Sequence, residues 1–344
     1  MNTLRSTNIA LILLTAAGGI TAADYKIVIV GGDRYAWAIT EKAVSSYRSV
    51  APNADIIVTR TAQDAAREIV DADGVIGGVT QEQFAKAKKL KWVQTFSAGV
   101  ENYRWKEFLD SDVVLTNCKI VQGPNIADHA FAMLLALTRG LFRYIPGKTN
   151  QEWSRDEGGL TELKDMTAVI IGVGGIGSQI AQRAHGFGMK VIGVDPKDIA
   201  PGFALSRVVT PDHLDEVLPQ ADVVFVSAPL TPQSRHMMSN RQFDLMKKDS
   251  YFIAVSRGGL YDTPALVKAL DSKRLAGAGL DVTEPEPLPK GHALWNFPNV
   301  VITPHIAGQS PGSFERRVGV IRENIRRLTR GERLINVVDK QKGY

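Results

Sequence analysis

Three side chains suited to moving a proton beside a carbonyl stand near the ends of short apolar runs in the last third of the chain: Arg257, Glu286 and His305. Arg257 directly follows the run at 252–256, Glu286 lies five residues after Asp281 in the stretch GLDVTEPEP, and His305 closes the stretch VITPH. Reducing a C=O to CHOH needs a proton donor as charge develops on the oxygen, and histidine is the side chain that ordinarily titrates near neutrality. A carboxylate on the other ring nitrogen holds the tautomer and stabilises the charged ring, a task open to Glu286. The planar fork of arginine binds carboxylate and carbonyl oxygens together. These are the requirements of hydride transfer to a small 2-oxo acid and back from the 2-hydroxy acid.

The other five histidines are placed less favourably. His129 and His185 fall inside helical patterns, where packing or capping is expected. His213 opens a surface-like helix, His236 follows PLTP in a loop, and His292 lies just past a Pro-Leu-Pro loop. No cluster of His, Cys, Asp and Glu has metal-ligand spacing, so no metal is expected. The single Cys118 cannot form an internal disulfide and has no identifiable base beside it, so a core or near-core thiol is expected.

Hydride chemistry needs a carrier, and GVGGIG at 172–177 supplies the place for one. An apolar run at 168–171 leads in, a helical stretch at 178–184 leads out, and a second apolar run ends on Asp195, 18 positions after Gly177. In such a turn Gly172 lets the chain bend, Gly174 lets a pyrophosphate approach the backbone, and Gly177 lets helix and strand pack closely, with Gly175 and Ile176 completing the loop. Asp195 can accept from both ribose hydroxyls and repels a 2′-phosphate, which favours NAD over NADP; Lys197, two residues on, favours the opposite or is solvated surface.

The elements that must position these residues are read from alternating apolar runs and helical patterns. Strands are expected at 26–30, 54–59, 74–77, 92–95 and 113–115, with helices at 61–71 and 81–89 between them. This implies a parallel sheet covered on both faces, with ligands beyond the strand ends, near Gly77 and Gly78 and near Ser97 to Val100. The small loop Ala98, Gly99, Val100 can turn successive N–H groups toward a carboxylate. A helix over 125–141 lacks a clean polar face and is expected between domains or against a partner subunit. The stretch 146–162 is read as an irregular arm or linker holding Trp153. Beyond it a sixfold sheet with crossovers is expected from the runs between 168 and 303, and a helix at 313–328 must return to the first domain or lie across the hinge. The predicted organisation is α/β: two Rossmann-like domains with a cleft between them, 24–122 with 311–344 for substrate and 123–310 for the dinucleotide.

At 344 residues, 44% hydrophobic and 22% charged, the chain has material for two cores. Its net charge of +5 is spread among acids, and the arginines at 316–317 and 326–330 lie on an amphipathic helix, so a solvated helix face is preferred to nucleic-acid binding. The first residues depart from this picture. One positive charge at Arg5, an apolar stretch at 9–17 and small residues at 21–23 have the layout of a secretory signal peptide over 1–23, too short to span a bilayer. A periplasmic or otherwise exported location is therefore expected, the alternative being an extra N-terminal element in a cytoplasmic enzyme.

Taken together, SAGV at 97–100, GVGGIG with Asp195, PLTP at 229–232, SRGG at 256–259, LDVTEPEPLP at 280–289, TPHIAG at 303–308 and the ending NVVDKQKGY resemble the NAD-dependent D-isomer-specific 2-hydroxyacid dehydrogenases across 25–344. The resemblance implies that Arg257 orients substrate, Glu286 pairs with the histidine and His305 is the general acid/base. It implies that the backbone of Ala98, Gly99 and Val100 holds the substrate carboxylate, that Pro229 belongs to the cofactor site, and that Asp281 lies near the nicotinamide carboxamide. It also implies a homodimer formed through the nucleotide domain, the helix near Ala127 and the arm around Trp153, and no metal. Ala254 departs from the asparagine many members carry there. Glutamate at 286 disfavours the formate dehydrogenase branch, and the ending at Tyr344 disfavours the longer phosphoglycerate dehydrogenases. The family also includes NAD-sensing partners of other proteins, so a non-catalytic sensor or scaffold is the alternative to an enzyme.

Overall fold

The computed structural model describes residues 24–153 and 158–344; the candidate signal peptide at 1–23 lies outside them. Five short strands, Tyr25–Val30 (β1), Ala54–Thr59 (β2), Gly74–Ile76 (β3), Trp92–Gln94 (β4) and Val114–Thr116 (β5), form one sheet in the order β2-β1-β3-β4-β5. All pairings are parallel, with Ile27 of β1 opposite Ile56 on one side and Gly74 on the other. Parallel strands need crossovers that cover both faces, which is why the runs are continuously apolar. Ile27, Val28 and Ile29 are all fully buried although neighbouring side chains point to opposite faces. The crossover helices start where threonines at 40, 61 and 80 each accept the N–H three residues on; Thr80 forms a full capping box with Gln83.

The second sheet has seven parallel strands: Thr167–Ile171 (β6), Lys190–Val194 (β7), Arg207–Val209 (β8), Val223–Val226 (β9), Ser250–Ala254 (β10), Leu275–Leu280 (β11) and Val300–Ile302 (β12). Their order is β12-β11-β10-β9-β6-β7-β8. The short strand expected at Arg207–Val209 pairs along β7 as the edge, and the sheet has seven strands where a sixfold one is expected. The direction of winding reverses between β6 and β9, so the glycine turn after β6 sits at the crevice where such sheets bind ligands.

The helix Gly123–Thr138 lies on one face of this second sheet. Ala127, Ala130, Phe131 and Leu134 pack with Ile170, Phe225 and Ile253, so its missing polar face is explained by its own sheet. The region read as an irregular arm begins as a helix, Leu141–Asn150, with Pro146 inside it. Proline costs that helix one donor, while Phe142 packs on the adjoining core and Arg143 Nη2 donates to the Gly158 carbonyl.

The last helix, Pro311–Thr329, returns to the first sheet, where Ile321 and Ile325 are fully buried with Ile27, Ile29 and Trp92. Asn324, also fully buried, donates to Gln94 Oε1 at 2.9 Å and accepts from the Ile335 N–H at 2.8 Å, pinning the helix to β4. The chain crosses between the lobes near 117–123 and 303–311. Arg317 donates through Nη2 to both Gln122 Oε1 and the Gly308 carbonyl, Arg316 to the Val121 carbonyl, and Asn125 to the Ala307 carbonyl, so the two crossings are tied to each other.

Candidate active site

His305 and Glu286 meet as the sequence suggests: His305 Nδ1 lies 2.6 Å from Glu286 Oε1, with the imidazole a third exposed. His305 comes just after β12 in a left-handed conformation (φ 53°), held by its N–H to the Asp281 carbonyl at 2.9 Å. Asp281 is 1% exposed and works on this same turn. Its Oδ1 accepts from Thr303 Oγ1 at 2.7 Å and the Ile306 N–H at 2.9 Å, and its Oδ2 from the Ala307 N–H at 3.0 Å. The position expected beside the nicotinamide carboxamide thus holds a buried carboxylate that shapes the histidine turn. His129, expected only to pack or cap, reaches the same turn, with Nε2 2.8 Å from Thr303 Oγ1. The segment bearing Glu286 is braced by Arg235, which grips Glu284 with both nitrogens, and by Thr263 Oγ1 donating to the Glu284 carbonyl.

Arg257 projects from the end of β10 toward the first lobe. Its Nε donates to Glu101 Oε1 at 2.7 Å and its Nη1 to the Ser256 carbonyl at 2.7 Å. Burial alone would raise the Glu101 carboxyl, but the Arg257 guanidinium, assisted by His305, outweighs it and holds the group below its ordinary value. Sequence reasoning missed Glu101, since an acid one residue past a small loop reads as surface. The loop Ala98, Gly99, Val100 lies against the guanidinium: an ideal Cβ on Gly99 would sit 1.8 Å from Arg257 Nη2. The carbonyls of Ser97, Ala98 and Gly99 accept from Thr95 Oγ1, Asn117 Nδ2 and Ser97 Oγ respectively. The N–H groups of Ala98, Gly99 and Val100 donate to nothing among the described residues, which leaves them for an anion.

The glycine turn fits a dinucleotide residue by residue. Gly172 has φ 88°, and a Cβ there would lie 2.5 Å from Ala228 Cα; a Cβ on Gly177 would lie 1.9 Å from the Gly172 carbonyl oxygen, while Gly174 faces open space. No described group accepts from the N–H groups of Gly174, Gly175 or Ile176, the last being the N-cap of the helix Gly177–Gly186. Asp195, 8% exposed, accepts from the Val173 N–H at 2.8 Å and the Lys197 N–H at 2.9 Å, which leaves two lone pairs for ribose hydroxyls. The Lys197 ammonium lies over the Tyr344 ring, and Lys119 is close enough that burial, and then Lys197, lower its pKa. Pro229 lies beyond β9, exposed, its carbonyl taken by Ser234 Oγ at 2.7 Å. Gly175, the extra glycine of the motif, lies under the first crossing, where a Cβ would come 2.5 Å from Ile120 Cα.

Burial pushes the Cys118 thiol up to about 12 against a lowering pull from Arg317, consistent with the expected core thiol. Among the described residues no group of His, Cys, Asp and Glu could hold a metal ion, and no helix is long and apolar enough to cross a membrane.

Comparison with known proteins agrees with this geometry. Residues 131–307 match the family described as D-isomer specific 2-hydroxyacid dehydrogenase, NAD binding domain. The chain is 33% identical to a D-3-phosphoglycerate dehydrogenase of Methanocaldococcus jannaschii over 81% of its own length, but spans only 54% of that protein. It is 33% identical to a glyoxylate reductase of Korarchaeum cryptofilum, covering 79% of this chain and 84% of the relative. The structure of an NADPH-dependent glyoxylate/hydroxypyruvate reductase from Sinorhizobium meliloti, in complex with NADP and sulfate, superposes with a TM-score of 0.77 at 26% identity, over 93% of this chain and 100% of that one. With a family match over half its length and relatives this similar over three quarters of it or more, the chain belongs to the D-isomer specific 2-hydroxyacid dehydrogenase family.

Proposed function

We propose that the protein is an NAD-dependent oxidoreductase that interconverts a small 2-oxo acid and its D-2-hydroxy acid. The observation that carries the proposal is the His305–Glu286 contact of 2.6 Å, on the same lobe as Arg257, whose guanidinium lies against the opposite loop with the free N–H groups of Ala98, Gly99 and Val100. The lobe of 24–122 with 311–344 receives substrate, and that of 123–310 receives the dinucleotide on Gly172, Gly174, Gly175, Ile176, Gly177 and Asp195. When bound, the dinucleotide supplies hydride to carbon 2 or takes it up.

The residues of the chain do the rest. The loop N–H groups and Arg257 hold the substrate carboxylate, and Arg257 polarises the 2-oxo group. With Nδ1 engaged by Glu286, His305 presents Nε2 for the proton that joins the oxygen on reduction and leaves it on oxidation. Glu286 compensates the charged ring, and Asp281 with Thr303 keeps the turn that aims it. The test is NADH consumption with glyoxylate, hydroxypyruvate, pyruvate and bulkier 2-oxo acids. No consumption with any of them, while NADH binds, would favour the non-catalytic sensing reading.

NAD is proposed over NADP from the Asp195 carboxylate. The NADP-bound neighbour and the nearby Lys119 and Lys197 make a side-by-side titration necessary. A homodimer is proposed through the second lobe, where Leu141, Ile145, Trp153, Leu160, Phe187 and Phe203 leave large apolar side chains exposed. Sedimentation at micromolar concentration checks it, and a monomer rejects it. Export is proposed from the layout of 1–23 alone; a mature chain beginning near Asp24 in protein from its native host is the expected mass.

A further inference from the structure

Among the described residues, one ion pair joins the two lobes: Arg257, just after β10, and Glu101, just after the substrate loop, 156 positions apart in sequence. A guanidinium carries five N–H groups in a rigid plane. Glu101 takes the one on Nε and the Ser256 carbonyl takes one on Nη1, so the plane is gripped from both lobes and the Nη2 edge is left. That edge occupies the space over Gly99 that any Cβ would need. Gripped by Ser256 alone, the guanidinium would remain free to turn about its last torsions.

We infer that Glu101 is a positioning residue. From the opposite lobe it sets the plane of Arg257, so that the Nη2 edge and the N–H groups of Ala98, Gly99 and Val100 converge on one carboxylate-sized anion. Because the two partners stand on different lobes, this arrangement exists only when the cleft is narrow enough for the pair to form. Arg257 is thus presented to substrate by closure and not by its own strand alone. A contrary role is open to the same carboxylate: Oε2 lies 2.6 Å from where a Gly99 Cβ would be, and an acid there can compete with substrate for the guanidinium. Positioning and competition predict opposite changes in affinity when Glu101 is truncated.

The inference rests on the reading of the cleft as a 2-oxo acid site, so its test has two arms. In the first, E101A, E101Q and the double variant E101A/R257K are compared with wild type for glyoxylate reduction. E101A is expected to raise KM about tenfold or more and to lower kcat, while E101Q, whose amide oxygen still accepts from Nε, stays within a few-fold of wild type. With R257K measured alongside as a single variant, E101A should add little to R257K, because Glu101 acts through the arginine. The second arm needs no turnover: phenylglyoxal labelling of Arg257, read by peptide mass, should speed up several-fold in E101A and little in E101Q. Unchanged or lower KM in E101A, full additivity, or labelling at the wild-type rate would overturn the inference. A wild type inactive on every 2-oxo acid but with the labelling difference intact would reject the reaction and leave the positioning role standing.

Discussion

Glu286 Oε1 stands 2.6 Å from His305 Nδ1, and the two residues are carried by the turns beyond β11 and β12, strands that pair with each other. The contact commits one ring nitrogen and leaves the other for the substrate oxygen. His305→Gln keeps a hydrogen-bonding side chain and removes the proton exchange. It is expected to cut kcat by roughly 10² to 10⁴-fold with NADH affinity nearly unchanged. Stopped-flow turnover beside NADH titration checks this, and a variant as active as wild type would reject the mechanism while sparing the reaction class.

The Asp195 carboxylate, bonded to the backbone of Val173 and Lys197, is the group proposed to meet the adenosine ribose. NADH is expected to bind more tightly than NADPH by about 1–3 kcal/mol, the scale of an uncompensated phosphate beside a carboxylate. Fluorescence titration of both cofactors, in wild type and K197A, measures it. Equal or tighter NADPH binding that is lost in K197A would assign the preference to the lysine.

Glu101 gives a pH prediction with a definite sign. Its folded-state pKa lies below the ordinary 4.5, because Arg257 outweighs burial, so the folded state binds its proton less readily than the unfolded chain. The stabilisation this provides is complete above the unfolded value and is lost as pH falls through the folded one. Urea unfolding of wild type and E101Q should therefore differ by a constant amount from about pH 8 to 5 and converge in more acidic solution. A difference that persists unchanged at about pH 2 would contradict the assignment.

Gly175→Ala should destabilise the fold and weaken dinucleotide binding together, because the added methyl would meet Ile120 Cα at 2.5 Å. Overpacking of this kind costs about 1–3 kcal/mol. Thermal unfolding with and without NADH reads both effects, and a variant as stable as wild type would show that the crossing moves aside at no cost.

Much of this arrangement is legible in the chain because parallel strands buried on two faces demand unbroken apolar runs, and each such run points to the residues at its C-terminal end. Arg257, His305 and the glycine turn are found in that way, as is the return of Pro311–Thr329 through its amphipathic spacing. Glu101 is not, since its partner is 156 positions away and nothing local marks it. The helix Leu141–Asn150 is hidden by Pro146 and Gly147, which read as breakers until Phe142 is seen against the core. Asp281 shows a role that nothing local marks: a carboxylate 1% exposed accepts from the Ile306 and Ala307 N–H groups and shapes the turn that carries His305, beside its expected place near the nicotinamide.

Arg317 clips the two crossings together, since one guanidinium nitrogen reaches both Gln122 and Gly308. Joined side by side, the crossings have the build of a door hinge with a single pin, a build that resists twist and slip more than swing. Swing about such a pin displaces points in proportion to their distance from it. The Arg257–Glu101 pair, the one ion pair between the lobes among the described residues, is therefore what such a swing would make or break, while the fastening at Arg317 scarcely alters. Opening of the lobes is thereby tied to dismantling of the proposed anion site, with no change needed inside either sheet.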